Sequence, residues 1–180
     1  MFAERRATLD SSIAYLDTLA RNYARLTPRF DRSTFDASAV AREAARSASS
    51  DGVVVEARIA EAPTMALGDP VLLRRILDNL LRNAIESLPP SGGEVTLEAT
   101  RTPTGGVRLI VTDTGKGMSD EELTRAFEDF HTTKPGGTGL GLSVVRRLAA
   151  DLHADLRVES APGRGTTFTL DLPPQSNSPA

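Results

Sequence analysis

The stretch DPVLLRRILDNLLRNAIESLPP, residues 69–90, contains the clearest helix of the sequence. Asp69 is a favourable N-cap, and Pro70 stands at the first helical position, where its missing N–H costs nothing. The prolines at positions 89 and 90 end the helix near Leu88. The spacing of the apolar residues predicts one buried face, formed by Leu73, Leu77, Leu80, Leu81, Ala84 and Leu88.

A second stripe of this helix is polar. At about 100° per residue, Asn79, Asn83 and Glu86 fall on the same side. Neutral amide oxygens suit a Mg²⁺ ion that keeps most of its waters and is otherwise held by phosphate oxygens. Amides are also common on solvated helix faces, so the stripe by itself does not establish a metal site.

The segment VRLIVTDTGKGM, residues 107–118, is an apolar strand that ends in Asp113 and continues through Gly115 and Gly117. Glycines allow the backbone to turn tightly and lie flat against a ligand. A carboxylate fixed here accepts a hydrogen bond from an exocyclic amine such as that of adenine, whereas guanine presents an oxygen. An ordinary strand-to-helix turn has the same composition. An aspartic protease also presents D-T-G, but it needs two such carboxylates, and a single D-T-G would require a symmetric dimer.

A glycine-rich loop, FHTTKPGGTGLGLSVV, covers residues 130–145 and leads into a helix that starts near Leu142. Exposed backbone N–H groups followed by a helix N-terminus favour anionic phosphates. Lys134 adds a positive charge, and the only other lysine, Lys116, also lies beside a glycine-rich turn. The glycines of the loop are Gly136, Gly137, Gly139 and Gly141.

Two common phosphate-binding signatures are absent from these turns. G-x-G-x-x-G starting at Gly137 would need glycine where Leu142 stands, and a P-loop ending at Lys116 would need glycine where Ile110 stands. Rossmann and P-loop proteins are therefore disfavoured.

The remaining patterns predict an α+β fold, a two-layer sandwich in which helices cover one face of a sheet. Ser119 and Glu122 form a capping box before a helix that runs through Phe130. Other helices are predicted at 36–46 and 142–152. Strands are predicted at 53–60, 94–99, 107–112, 156–159 and 167–172, with the second and third forming an antiparallel hairpin.

The ends of the chain fall outside this domain, which we place at residues 31–174. The spacing of apolar residues in 1–30 predicts a helix with a short heptad-like seam. This helix is either an amphipathic helix packed on its own domain or the end of a dimerisation hairpin. Residues 175–180 are expected to be a disordered tail.

Composition excludes several classes of protein. The chain has 180 residues, a net charge of −3 and a pI near 5.5, so binding to nucleic acid through bulk charge is not expected. The absence of cysteine removes disulfides, zinc–thiolate sites and thiol catalysis, and favours the cytoplasm. No apolar run approaches the roughly 18 residues of a membrane span. If the protein acts at a membrane, another segment anchors it there.

In order along the chain, DNLLRNAIES, DTGKGM, FEDFHTTK, GGTGLGL and GRGTTFTLDLP resemble five motifs of the histidine-kinase ATP-binding domain. These are its asparagine box, first glycine box, phenylalanine box, second glycine box and final G-x-G-T segment. The resemblance covers about residues 35–173 and is strongest to the nitrogen-regulation-like sensor kinases. It implies the fold of the superfamily that includes gyrase and mismatch-repair ATPases, a mixed five-stranded sheet under about three helices, in agreement with the predicted sandwich.

The resemblance also implies roles for individual residues. Asn83 would coordinate Mg²⁺ with help from Asn79, and Asp113 would select adenine. The adenine end would be shaped by Gly115, Lys116 and Gly117 and supported by Thr166. A mobile lid over the triphosphate would contain Phe127, Phe130, Thr132, Thr133 and Lys134. The phosphate-contacting turn would contain Gly137, Thr138, Gly139, Leu140, Gly141 and Leu142.

Position 79 bears on the reaction. ATP-hydrolysing members of the superfamily similarly carry a glutamate there as a base for water, whereas Asn79 cannot take a proton at neutral pH. The resemblance therefore implies a kinase, with Asn79, Asn83 and Lys134 as its catalytic residues, rather than an ATPase.

The chain departs from the family pattern at several positions. Asp129 replaces the proline common in F-x-P-F, and Glu86 stands where many branches have lysine or arginine. The only histidines are His131, in the lid motif, and His153, and neither is on the N-terminal helix that would carry the phosphoacceptor.

The implied function is the ATP-binding catalytic domain of a two-component sensor histidine kinase. It would bind Mg-ATP and transfer the γ-phosphoryl group to a histidine on a hairpin in cis or in trans, with a response regulator as a further partner. A homodimer could form through the N-terminal helix. Two alternatives remain: a nucleotide-gated interaction module without phosphotransfer, and an anti-sigma-type protein-serine kinase.

Overall fold

The computed structural model describes residues 33–49, 53–132 and 139–174. The N-terminal helix predicted at 1–30 and the tail predicted at 175–180 lie outside the described residues. The described strands are β1 (Ser33–Asp36), β2 (Val55–Ile59), β3 (Met65–Gly68), β4 (Val95–Arg101), β5 (Val107–Asp113), β6 (Asp155–Ser160) and β7 (Thr166–Leu172). The described helices are α1 (Ala37–Ala48), α2 (Pro70–Ser87), α3 (Asp120–Arg125) and α4 (Gly141–Asp151).

Five strands form a mixed sheet in the order β2-β4-β5-β7-β6. β2 runs parallel to β4, and the other neighbours are antiparallel. Every second residue is buried along β5 and β7 and along β4 as far as Ala99, as expected for a sheet covered on one face. Helices α1, α2 and α4 cover that face. The predicted two-layer α+β sandwich and its antiparallel β4–β5 hairpin are therefore confirmed.

Helix α2 begins and ends where the sequence predicts. The Asp69 side chain accepts a hydrogen bond from Val71 N at 2.8 Å, and Ser87 is the last helical residue. The buried face is wider than predicted, because Leu72 and Ile76 are also buried. α2 packs against α1 on one side and α4 on the other as well as against the sheet, so a broad stripe is shielded from water.

Two local features differ from the predictions. β1 and β3 form a separate two-stranded antiparallel sheet, in which Phe35 pairs with Ala66, and the sequence did not predict it. The helix that starts after Ser119 ends at Arg125 rather than continuing to Phe130. Phe130 has a φ of 66°, a left-handed conformation that a right-handed helix does not contain.

The opposite face of the sheet is polar and is not packed against the three covering helices. Arg108 donates to both oxygens of Asp171, at 2.6 and 2.7 Å, and Arg157 also pairs with this carboxylate. The Arg108 guanidinium lowers the pKa of Asp171, because it donates hydrogen bonds to the ionised form. The glycine-rich and asparagine motifs identified above lie elsewhere, at the end of β5 and along α2 and α4.

Ser38, near the start of α1, provides a test of the packing. It is fully buried, and its Oγ has no hydrogen-bond partner among the described residues. We expect Ser38→Ala to raise the free energy of unfolding by about 1 kcal/mol, because an unpaired buried hydroxyl is costly. Urea denaturation measures the change. Ser143→Ala is the matched control: its buried Oγ donates to Leu140 O at 3.1 Å, so this variant should lose stability. A larger loss for Ser38→Ala than for Ser143→Ala would contradict the expectation.

Candidate functional site

Asp113, the last residue of β5, is a buried carboxylate with 4% of its surface exposed. Its Oδ1 accepts a hydrogen bond from Gly115 N at 2.8 Å and lies 2.8 Å from the Ser87 hydroxyl. Within the described part of the chain, no group donates to Oδ2. One oxygen of the carboxylate is thus held by the protein, and the other is able to accept a hydrogen bond from a ligand.

Thr166 lies beside this carboxylate, because it pairs with Asp113 in the register between β5 and β7. It is also buried, and its hydroxyl is 2.9 Å from Ser160 Oγ. Ser160 Oγ in turn accepts a hydrogen bond from Met118 N at 2.9 Å. The two hydroxyls therefore connect the end of the sheet to the loop that follows Asp113.

The glycine-rich loop after Asp113 is in close contact with the turn between β6 and β7. A Cβ on Gly117, whose φ is 65°, would collide with the carbonyl oxygen of Ala161. A Cβ on Gly165, whose φ is 77°, would collide with the carbonyl oxygen of Asp113 and lie 3.0 Å from Thr114 Cα. Gly163 N also donates to Lys116 O at 2.7 Å. The two turns thus support each other and hold Asp113 in place.

The amide stripe of α2 contacts the start of α4. A Cβ built on Gly141 would lie 3.5 Å from Asn83 Nδ2 and 3.7 Å from Asn79 Oδ1. Both asparagines are half-buried, whereas Glu86 is exposed. Asn79 Nδ2 donates to Arg75 O at 2.8 Å, and Asn79 Oδ1 accepts from Arg82 Nη2 at 2.6 Å. Coordination of a metal through Asn79 Oδ1 would therefore require Arg82 to move.

Helix α2 connects the residues around Asp113 with the pair Asn79 and Asn83. Ser87, which contacts Asp113, lies one helical turn after Asn83, a rise of about 6 Å along α2. The predicted base-selecting carboxylate and the predicted metal-binding amide therefore lie at adjacent positions along one edge of the helical layer.

The predicted lid and phosphate turn are only partly described. Thr133, Lys134, Gly136, Gly137 and Thr138 lie outside the described residues. The described ends of this segment meet, because a Cβ on Gly139 would lie 2.6 Å from Phe130 O and 2.7 Å from His131 N. Phe127 packs against the core, while Phe130 is 57% exposed and Thr132 is also exposed.

The first turn of α4 begins at the predicted phosphate-contacting residues. Leu140 is buried at its N-cap, Gly141 is the first helical residue and Leu142 is half-buried. Among the residues that the structure describes, no side chain caps this end of the helix. Its first N–H groups therefore keep the orientation that suits an anion at the point where the amides of α2 also converge.

A capping box of Ser119 and Glu122 stabilises the start of α3. Ser119 Oγ accepts from Glu122 N at 3.2 Å, and Ser119 N donates to Glu122 Oε2 at 2.9 Å, which confirms the predicted capping box. This hydrogen bond from the Ser119 backbone lowers the pKa of Glu122, because it stabilises the ionised carboxylate. Nearby Lys116 and His131 act in the same direction.

Sequence reasoning missed two serines of the site, Ser87 and Ser160. Ser87 follows Asn79 and Asn83 at a regular spacing of four residues, so the helical period contained a signal for it. Ser160 had no such signal, because its role depends on contacts between separate turns.

In residues 33–49, 53–132 and 139–174, no group of three or more His, Cys, Asp or Glu side chains is arranged to hold a metal ion. None of the helices described is long and apolar enough to cross a bilayer.

Comparison with known proteins places this arrangement in a family. Residues 68–176 match the family described as "Histidine kinase-, DNA gyrase B-, and HSP90-like ATPase". Sporulation kinase C of Bacillus subtilis (strain 168) is 35% identical over 127 residues, which are 70% of this chain and 29% of that protein. The sensor-like histidine kinase SenX3 of Mycolicibacterium smegmatis is 38% identical over 130 residues, which are 66% of this chain and 33% of that protein. The chain thus spans about a third of the length of these relatives.

Solved structures show the same fold. The mycobacterial sensor histidine kinase MprB superposes with a TM-score of 0.64 at 28% identity, covering 80% of this chain and 99% of that one. Full-length ShkA in complex with AMPPNP superposes with a TM-score of 0.70 at 27% identity, covering 94% of this chain and 39% of that one.

Proposed function

Because the chain belongs to the histidine kinase-, DNA gyrase B- and HSP90-like ATPase family, we propose that it is the ATP-binding catalytic domain of a sensor histidine kinase. It transfers the γ-phosphoryl group of ATP to a histidine on a dimerisation hairpin. The observation that carries this proposal is the buried Asp113, one oxygen of which is held by the protein. It lies beside Thr166 and contacts Ser87, which follows Asn83 by one turn of α2.

Asp113 selects the base in this proposal. Its Oδ2 accepts a hydrogen bond from the exocyclic amine of adenine, whereas the oxygen at the equivalent position of guanine is repelled. A hydrogen bond to an ionised group is worth about 1.5–3 kcal/mol, enough for a strong preference between the two bases.

Asn83 and Asn79 would hold Mg²⁺ further along α2 from Asp113. Their carboxamides meet the start of α4, and neutral oxygens fit an ion that takes its remaining ligands from water and phosphate. When bound, the ion neutralises charge on the phosphates. Lys134 and the turn from Gly137 to Leu142 would contact the phosphates, as the resemblance implies.

The side chain at position 79 favours transfer to a protein over hydrolysis. An amide accepts no proton at neutral pH, and Asn79 is already engaged with Arg75 O and the Arg82 guanidinium. Asn79 is therefore unsuited to activate a water molecule, and the γ-phosphoryl group goes to a nucleophile that is positioned next to it.

The acceptor histidine belongs to a separate hairpin. His153 is exposed just after α4, and His131 lies next to Phe130 in the predicted lid. Both are parts of the nucleotide-binding domain itself. The partners proposed are therefore a histidine-bearing hairpin in cis or in trans and a response regulator, with residues 1–30 as a dimer contact.

Two measurements test the proposal. Calorimetric titration should show binding of ATP and ADP and much weaker binding of GTP. The chain mixed with the hairpin domain of a relative and radiolabelled ATP should then produce acid-labile, base-stable phosphate on the hairpin. Acid-stable label would instead indicate a serine kinase, and tight ATP binding without any label would indicate a nucleotide-gated interaction module.

The metal role of Asn83 has its own test. We expect Asn83→Ala to weaken binding of Mg-ATP about tenfold or more, with little change for ATP in EDTA, because the amide contacts the ion rather than the base. Asn79→Ala is the companion variant, because Asn79 Oδ1 accepts a hydrogen bond from Arg82 and could contact the ion only if Arg82 moved. Titration calorimetry with and without Mg²⁺ measures both. If Asn83→Ala lost equal affinity for ATP with Mg²⁺ and in EDTA, the metal role of Asn83 would be contradicted.

A further inference from the structure

Ser87, the last residue of α2, contacts the Asp113 turn in three ways. Its Oγ is 2.8 Å from Asp113 Oδ1. Its carbonyl oxygen accepts a hydrogen bond from Lys116 N at 3.1 Å. A Cβ on Gly115 would lie 2.6 Å from the same carbonyl oxygen, so only glycine leaves room for this approach. The helix end and the turn are therefore in direct contact on both sides of the carboxylate.

The single hydrogen of the Ser87 hydroxyl has two possible acceptors. Ser87 Oγ is 2.8 Å from Ala84 O as well as from Asp113 Oδ1. A hydroxyl donates one hydrogen at a time, and an ionised carboxylate is the stronger acceptor. The hydrogen bond to Asp113 is therefore favoured while the carboxylate is charged.

Two donors then approach the same carboxylate oxygen. Gly115 N lies 2.8 Å from Oδ1, and the Ser87 hydroxyl reaches it from the helix. A single donor would leave the carboxylate plane free to rotate about χ2, which is a soft torsion. Two donors from different elements restrict that rotation and fix the direction of Oδ2.

We propose that Ser87 is a positioning residue for base selection, whose hydroxyl orients Asp113 so that Oδ2 faces the exocyclic amine of a 6-aminopurine nucleotide. The inference rests on the proposed function and extends it from the carboxylate to the residue that orients it. Ser87 acts through Asp113, so its effect is on recognition of the base.

The test compares two nucleotides that differ only in the exocyclic amine. Titration calorimetry measures the Kd of ADP and of purine riboside 5′-diphosphate, which has hydrogen in place of the amine, for wild type and Ser87→Ala. We expect Ser87→Ala to weaken ADP about 3- to 10-fold, the range expected for one hydrogen bond, and to leave the amine-free nucleotide unchanged. A purely structural role would weaken both nucleotides equally.

Two further variants provide controls. Ser87→Cys keeps the size of the side chain but has only a weak donor, so it should behave like Ser87→Ala even if alanine disturbs the helix end. Ser49→Ala is the matched control at the end of α1, because its Oγ also donates to its own helix, at 2.9 Å from Ala45 O. It should change neither Kd.

The outcomes distinguish this inference from the proposed function. If wild type binds ADP and the ratio of the two affinities is the same in wild type, Ser87→Ala and Ser87→Cys, the role of Ser87 is overturned and the proposed function stands. If wild type fails to bind ADP, both are overturned.

Discussion

Asp113→Asn is expected to lower the affinity for ADP by about 10- to 150-fold, which corresponds to the loss of one hydrogen bond to a charged group. Asparagine has one oxygen and one NH₂ group where aspartate has two oxygens. If the oxygen keeps its place near Gly115 N and Ser87 Oγ, the NH₂ group points at the amine of adenine, and two donors face each other. If the side chain flips, the NH₂ group instead faces Gly115 N. Neither orientation satisfies both the protein and the base.

Titration calorimetry with ADP measures this effect, and thermal unfolding shows whether the variant remains folded. Asp171→Asn is the matched control, because Asp171 is also a hydrogen-bonded carboxylate, but its donors are Arg108 and Arg157, on the opposite face of the sheet. It should leave the Kd of ADP unchanged. If Asp113→Asn binds ADP like wild type, the carboxylate is not part of the adenine site.

Gly165→Ala is expected to lower the free energy of unfolding by about 2–5 kcal/mol and to abolish measurable ADP binding. A left-handed φ of 77° costs a non-glycine residue about 1–2 kcal/mol, and overpacking against the Asp113 carbonyl adds about 1–3 kcal/mol. Relief of the clash requires the end of β5 to shift, and that shift moves the Asp113 carboxylate away from Ser87.

Gly163→Ala separates the cost of the left-handed φ from the cost of overpacking. Gly163 belongs to the same turn and has a φ of 72°, but nothing lies within 4 Å of a Cβ built there. This variant should lose only about 1–2 kcal/mol and should still bind ADP. Urea denaturation and calorimetry on both variants make the comparison. Equal losses of stability in the two variants would show that the close approach of Gly165 to the Asp113 carbonyl does not contribute to the cost of Gly165→Ala.

Much of the fold was predictable because the signals are local. Asp69, Pro70 and the prolines after Leu88 delimit α2, and the capping box at Ser119 marks the start of α3. The small sheet of β1 and β3 was missed because each strand has only four residues and its partner is distant in sequence. The end of α3 was placed too late, because the residues through Phe130 are compatible with a helix but the chain turns away from it.

For the candidate site, the sequence named the residues but not the contacts between them. The order of the motifs identified the family, which the comparison confirms, and named Asp113, Asn79 and Asn83 as site residues. The roles of these residues remain predictions. Nothing in the sequence indicated that Asn79 Oδ1 is occupied by Arg82, since that contact depends on side-chain rotamers on the surface of α2.

The sequence by itself determined where α2 begins and ends, which strands pair as a hairpin and which residue types line the site, because caps, turns and periodicity act over a few residues. Only the tertiary structure decided that the protein holds the Oδ1 oxygen of Asp113. That depends on Ser87 and Asp113, 26 residues apart, being brought within 2.8 Å of each other by the packing of α2 on the sheet. A hydrogen bond forms only when donor and acceptor lie about 3 Å apart. The sequence does not state the distances between residues that are far apart along the chain.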